Sequence, residues 1–107
     1  MTREETKKYL EGYLLNMKRA MQLKRDRALY AMAGPSITQE INKCIRECEK
    51  IEDFISSAIS LRKREVLVRK YIYAQSLEKI AEELNYSVRQ IQRILNEAVD
   101  ELSRKIK

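Results

Sequence analysis

The chain contains no histidine and no tryptophan, and its two cysteines, Cys44 and Cys48, stand four residues apart. Most metal sites and most nucleophile–base pairs therefore lack a member. Helical spacing of four holds the two cysteine Cα atoms near the limit for a disulfide, so burial as small apolar side chains is the reading that fits them. No carboxylates pair in an apolar setting, and the sequence points to no enzyme, no metal and no cofactor. One proline and two glycines cannot punctuate a β-sandwich or barrel, which needs a turn signal roughly every 8–12 residues. The longest apolar run, Ala28 to Ala33, is too short for a membrane span, and charged residues open the chain where a signal peptide needs apolar ones. A soluble, cytoplasmic, all-α protein is the expectation.

What remains is rich in helix formers and basic. Across 107 residues, 22 Lys and Arg face 16 Asp and Glu, a formal charge of +6 that favours a polyanionic or acidic partner. Leu10, Leu14, Met17, Met21, Ala28 and Ala31 recur at helical spacing if Lys24 is admitted as a polar intruder, which predicts a first helix ending near Ala33 at Gly34-Pro35. Ser36 and Gln39 form an S-x-x-Q capping box, predicting a second helix striped by Ile37, Ile41, Cys44, Cys48, Ile51, Ile55 and Ala58. Joined by so short a turn, the two must form a long antiparallel hairpin over residues 1–60. Met17, Met21 and Met32 read as gap-filling core. Extra apolar width from Tyr9, Tyr13, Leu15, Ile45 and Ile59 predicts a further contact, either with the rest of the chain or with a second copy in a four-helix bundle.

Residues 61–107 have a different texture of short, capped helices. Arg62 to Tyr73 or Ala74 forms the first, Ser76 caps a second over Leu77 to Leu84, and Asn85 ends it in a left-handed turn. Ser87 and Gln90 make another capping box, opening a last helix whose Ile91, Leu95, Ala98 and Leu102 face inward. The pair joined at Asn85-Tyr86-Ser87 has the spacing of a helix-turn-helix, with Ala81 small where the helices cross. Arg89, Gln92, Arg93 and Asn96 fall in one outward stripe and are the candidate base-reading residues, because Arg suits guanine and Gln or Asn suits adenine in the major groove. A solvated polar face is the plain alternative. Ser87, Tyr86, Lys79, Arg69 and Lys70 are candidate phosphate contacts. Residues 62–107 carry eleven basic against seven acidic side chains, and residues 1–61 eleven against nine, so by halves the excess sits on the C-terminal side.

Arg64-Glu65-Val66-Leu67, Lys70-Tyr71-Ile72, Ser76 to Ala81 and Tyr86 to Ile91 together resemble region 4 of the sigma-70 family. More closely, the stretch from Leu61 to Leu102 is similar to the small sigma-like transcriptional regulators of phages and prophages of Gram-positive bacteria, the autolysin-regulator-like activators. The resemblance implies a three-helix sigma-like helix-turn-helix behind the hairpin, with Val88 to about Leu95 as recognition helix. It further implies double-stranded DNA as partner, RNA polymerase as a second, and a bacterial host cell. The sequence departs from the pattern at Ala74, where relatives often have Gly, at Leu77, where many have Trp, and at Arg69, where Leu is usual. No aromatic-rich melting region is present, so a sequence-specific regulator, dimeric through the hairpin, is expected rather than a complete initiation factor. Two other readings stay open. One is a phage DNA-packaging recognition subunit of small-terminase type, and the other is a sigma-like module that binds polymerase without reading bases.

Overall fold

A computed structural model describes residues 1–29, 35–58 and 60–105. The expected end of the first helix at Ala33, its Gly34 cap, and the placement of Ala31, Met32 and Ile59 lie outside these residues. The described chain is all-helical and contains no strand, as its composition predicts. No described helix is long and apolar enough to cross a membrane.

Helix α1 spans Arg3–Leu29 and opens with a reciprocal cap: the Glu5 amide donates to Thr2 Oγ1 at 3.2 Å and the Thr2 amide to Glu5 Oε1 at 3.0 Å. Its buried line is Thr6, Leu10, Tyr13 and Ala20, flanked by half-buried Leu14 and Met17. The stripe read through Met21 and Ala28 is therefore corrected. Met21 is 58% exposed, Ala28 is exposed, and Leu15 is bare at 70%. Polar anchors set the true line: the Thr6 and Ser103 hydroxyls bond at 2.7 Å, and Tyr13 Oη donates to Glu52 Oε1 at 2.8 Å. Towards its end α1 meets α2, where Arg27 reaches Thr38, and a two-helix contact covers a narrow seam.

Helix α2 spans Pro35–Ser56 and buries Ile41, Cys44, Cys48, Ile51 and Ile55, the stripe the sequence predicts. It begins at Pro35, whose fixed φ and missing N–H suit a first helical position, so Ser36 lies inside the first turn rather than ahead of it. Arg27 meets Thr38, and Tyr13 meets Cys48 and Glu52, so α2 runs back along α1. Both cysteines are free and buried, and burial pushes the Cys48 thiol up from its ordinary range.

Helix α3 spans Leu61–Leu67, capped by Ser60, and continues into a wider turn of π type over Val68–Ile72. The chain reverses through Ala74, whose φ of 56° is left-handed, before Ser76 caps α4, Leu77–Leu84. Asn85 closes α4 at φ 59°, and the Tyr86 amide reaches back to the Ala81 carbonyl at 2.9 Å. That six-to-one bond with a left-handed residue inside it satisfies the carbonyls a helix end otherwise leaves unpaired. Helix α5 then runs Val88–Lys105.

Most of the buried residues form one continuous cluster, with Thr6, Ala20, Ile41 and Cys44 outside it. Leu10, Tyr13 and Ile51 of the first two helices join Val66, Leu67, Tyr71, Ile80, Ile91, Leu95 and Leu102 without a break. At the surface, Arg3 grips Asp100 through two bonds of 2.7 and 2.6 Å, which holds that carboxyl below its usual range. The start of α1 is thus tied to α5.

An L-residue in the left-handed region costs about 1 kcal/mol that glycine avoids. Ala74→Gly is expected to raise unfolding stability by up to about 1 kcal/mol in denaturant titration, whereas Asn85→Ala lowers it by about the same. Burial pushes Tyr13 and Tyr71 up to about 12, with the bond to Glu52 adding to the shift of Tyr13. Both favour the neutral phenol in the fold, so their contribution is complete below the unfolded value of about 10 and is lost as pH rises from there towards 12. Phenolate absorbance should show these two ionising last, together with loss of helical circular dichroism.

Candidate nucleic-acid interface

Helix α5 owes its amphipathic division to spacing: Ile91, Leu95, Ala98, Val99 and Leu102 are buried, and the opposite face is left to polar residues. Its first turn is fixed by the Ser87–Gln90 box. The Gln90 amide donates to Ser87 Oγ at 3.1 Å, and the Ser87 amide donates to Gln90 Oε1 at 2.8 Å. Within that turn the Val88 and Arg89 amides have no intrahelical acceptor.

Arg89 and Arg93 are exposed, and neither guanidinium finds a hydrogen-bond or ion-pair partner among the described residues. Gln92 and Asn96 are half-exposed and joined, Gln92 Nε2 donating to Asn96 Oδ1 at 3.0 Å. That bond orients both amides while leaving Gln92 Oε1, one N–H of Gln92 and both N–H groups of Asn96 free to pair elsewhere. Ser87, Arg89, Gln92, Arg93 and Asn96 border one shallow, open concavity of about 580 Å³, ending at Glu97 and Asp100. The structure therefore brings all four candidate base-reading residues onto one uncovered face. The negative end of that face is partly neutralised, because Asp100 is held by Arg3.

The candidate phosphate contacts divide. Ser87 belongs to this face, whereas half-buried Tyr86, in the turn before it, does not line the concavity. Lys79 and Arg69 instead converge on Glu83: Lys79 Nζ lies 3.6 Å from it, and Arg69 bonds it directly while also reaching Glu65 at 3.3 Å and Gln75 at 3.5 Å. With two carboxylates around it, Arg69 offers a phosphate no free positive charge, and its buried Nε has no partner among the described residues. Arg69 is thus a tie between the π turn and α4. Lys70 lies on another side, with Glu11 and Leu14 of α1.

One neighbour of the face is not readable from the sequence. The Arg62 guanidinium stacks over the Tyr86 ring at 4.8 Å, placing an exposed cation beside the turn into α5. The basic run at Arg62-Lys63-Arg64 marks the residue type, but nothing local says which cation folds back. Arg64 is used otherwise, its Nε donating to the Ala58 carbonyl at 2.6 Å.

Counting charge by halves hides a sharper division. Residues 17–46 carry seven basic against two acidic side chains, and residues 47–61 one against four. The largest local excess thus lies on the end of α1 and α2 remote from α5, and the acidic stretch beyond it masks that excess in the total for residues 1–61. Among the described residues no group of three or more metal-ligating side chains comes together. The chain matches no protein-family model, no curated protein and no solved structure.

Arg69→Leu removes the partner of Glu65 and Glu83 and is expected to lower stability by about 1 kcal/mol, since the cluster is only partly shielded from water. If Arg69 plays no part in phosphate contact, the salt dependence of duplex binding, measured by fluorescence anisotropy, stays the same.

Proposed function

We propose that this chain is a sequence-specific DNA-binding transcriptional regulator of phage or prophage type, with α4 and α5 as a helix-turn-helix and α1 and α2 as a helical hairpin. The observation that carries this reading is the free face of α5, where Arg89 and Arg93 stand exposed and unpaired beside the joined amides of Gln92 and Asn96. The left-handed Asn85, the small buried Ala81 and the capped start of α5 supply the sharp crossing such a unit needs.

In this reading the segment from Val88 to Asn96 enters the major groove. Arg89 and Arg93 present planar forks to guanine O6 and N7, and Gln92 pairs with adenine through its free oxygen and N–H. The Val88 and Arg89 amides and Ser87 meet a backbone phosphate at the groove edge, with Tyr86 beside them. Glu97 limits how far the helix penetrates, because beyond it a carboxylate would face phosphate. Two copies joined through the hairpin read paired half-sites, and contact with RNA polymerase follows the same resemblance to sigma region 4.

The test is selection of bound sequences from random duplex DNA, followed by affinity measurement against salt. An enriched sequence is expected. Arg93→Ala should cost about 1–3 kcal/mol at that site and relax preference at one base pair. A steep salt slope with no enriched sequence, or unchanged profiles for both Arg89→Ala and Arg93→Ala, would remove direct readout.

A further inference from the structure

Helix α1 carries a line of exposed charges that follows a rule, bordered near Glu11 by the groove it shares with Lys70 and Tyr71. Glu4, Glu11, Lys18 and Arg25 recur at intervals of seven, with Leu15 near the middle, and all five are exposed. The pair between Lys7 Nζ and Glu4, at 3.9 Å, is loose and leaves Glu4 mostly in water. Glu11, Lys18 and Arg25 have no ion-pair partner among the described residues.

This order, two carboxylates followed by two cations, decides how such a face can meet a copy of itself. Side by side and parallel, each charge would oppose its own kind. Antiparallel about an axis between Leu14 and Leu15, Glu4 falls opposite Arg25 and Glu11 opposite Lys18, each twice because the contact is isologous. The 70%-exposed Leu15 then lies at the axis beside Leu14 of the copy, and the 58%-exposed Met21 falls opposite the aliphatic stem of Lys8. A line of residues at intervals of seven drifts by about 20° per repeat, so two such helices cross at a shallow left-handed angle. The antiparallel arrangement also carries the strongly basic far ends of the two hairpins away from each other.

We infer that this exposed line of α1 seats a second copy of this chain, packed antiparallel, with Glu4 and Glu11 of one protomer paired to Arg25 and Lys18 of its partner. This deepens the dimeric part of the proposed function and names its interface, and it rests on that reading but not on base recognition. The pairs are exposed, so association is salt-sensitive.

The full chain is examined by sedimentation equilibrium at tens of micromolar. Wild type is expected to dimerise at low salt and dissociate as salt rises. Glu4→Lys with Glu11→Lys makes the face wholly basic, and Lys18→Glu with Arg25→Glu makes it wholly acidic. Each should be monomeric alone with helical circular dichroism retained, and mixing the two should give a heterodimer. The chain carrying all four changes should dimerise again, which separates a lost interface from a lost fold. Wild type that stays monomeric at low salt overturns the inference, as do single-sign variants that dimerise like wild type or fail to pair on mixing. Duplex selection on the same proteins keeps the two readings apart: an enriched sequence from a monomer strikes this inference alone, and an intact dimer with no enriched sequence strikes base recognition alone.

Discussion

The left-handed turn at Asn85 is the constraint on which the exposed chemistry depends. By ending α4 abruptly and returning the Tyr86 amide to the Ala81 carbonyl, it lets α5 start at once and cross close over a small side chain. The crossing puts Ile91, Leu95 and Leu102 into the common core, and geometry then leaves Arg89 and Arg93 outside. A longer or looser turn would let α5 rotate, and the division between buried and free faces would go with it.

Charged side chains in this protein do two kinds of work. Some are matched internally and hold elements together, as Arg3 holds Asp100, Arg69 holds Glu83 and Glu65, and Arg64 closes the end of α2 on the Ala58 carbonyl. Others, on the front of α5 and the back of α1, have no partner within the described residues. The first group explains how short helices with modest cores stay in register. The second is where partners of opposite charge are to be sought, and its two faces lie on different helices.

Much of the helical order is legible in the sequence because caps are local. Ser76, Asn85 and the Ser87–Gln90 pair act on amides within four residues, so reading them needs no knowledge of the fold, and the alternation from Ile41 to Ile55 is equally local. The buried line of α1 is not legible in this way. Leu14, Met17 and Met21 fit helical spacing as well as Leu10, Tyr13 and Ala20 do, and the choice is made by hydroxyls bonding to Glu52 and Ser103, far along the chain. The same limit applies at the candidate site. The stripe from Arg89 to Asn96 follows from spacing alone, whereas the diversion of Arg69 to Glu83 and the stacking of Arg62 on Tyr86 are tertiary facts.

The wide turn from Val68 to Ile72 bears on chain length as well as on composition. A turn of this type takes up one residue more than an α-helical turn, so deleting one residue there can wind the segment back into regular helix while Val66 and Leu67 still face the core. A second deletion has no such surplus to draw on. It would rotate α3 by about 100° and swing Val66 and Leu67 towards water, so this stretch should tolerate the loss of one residue and not of two.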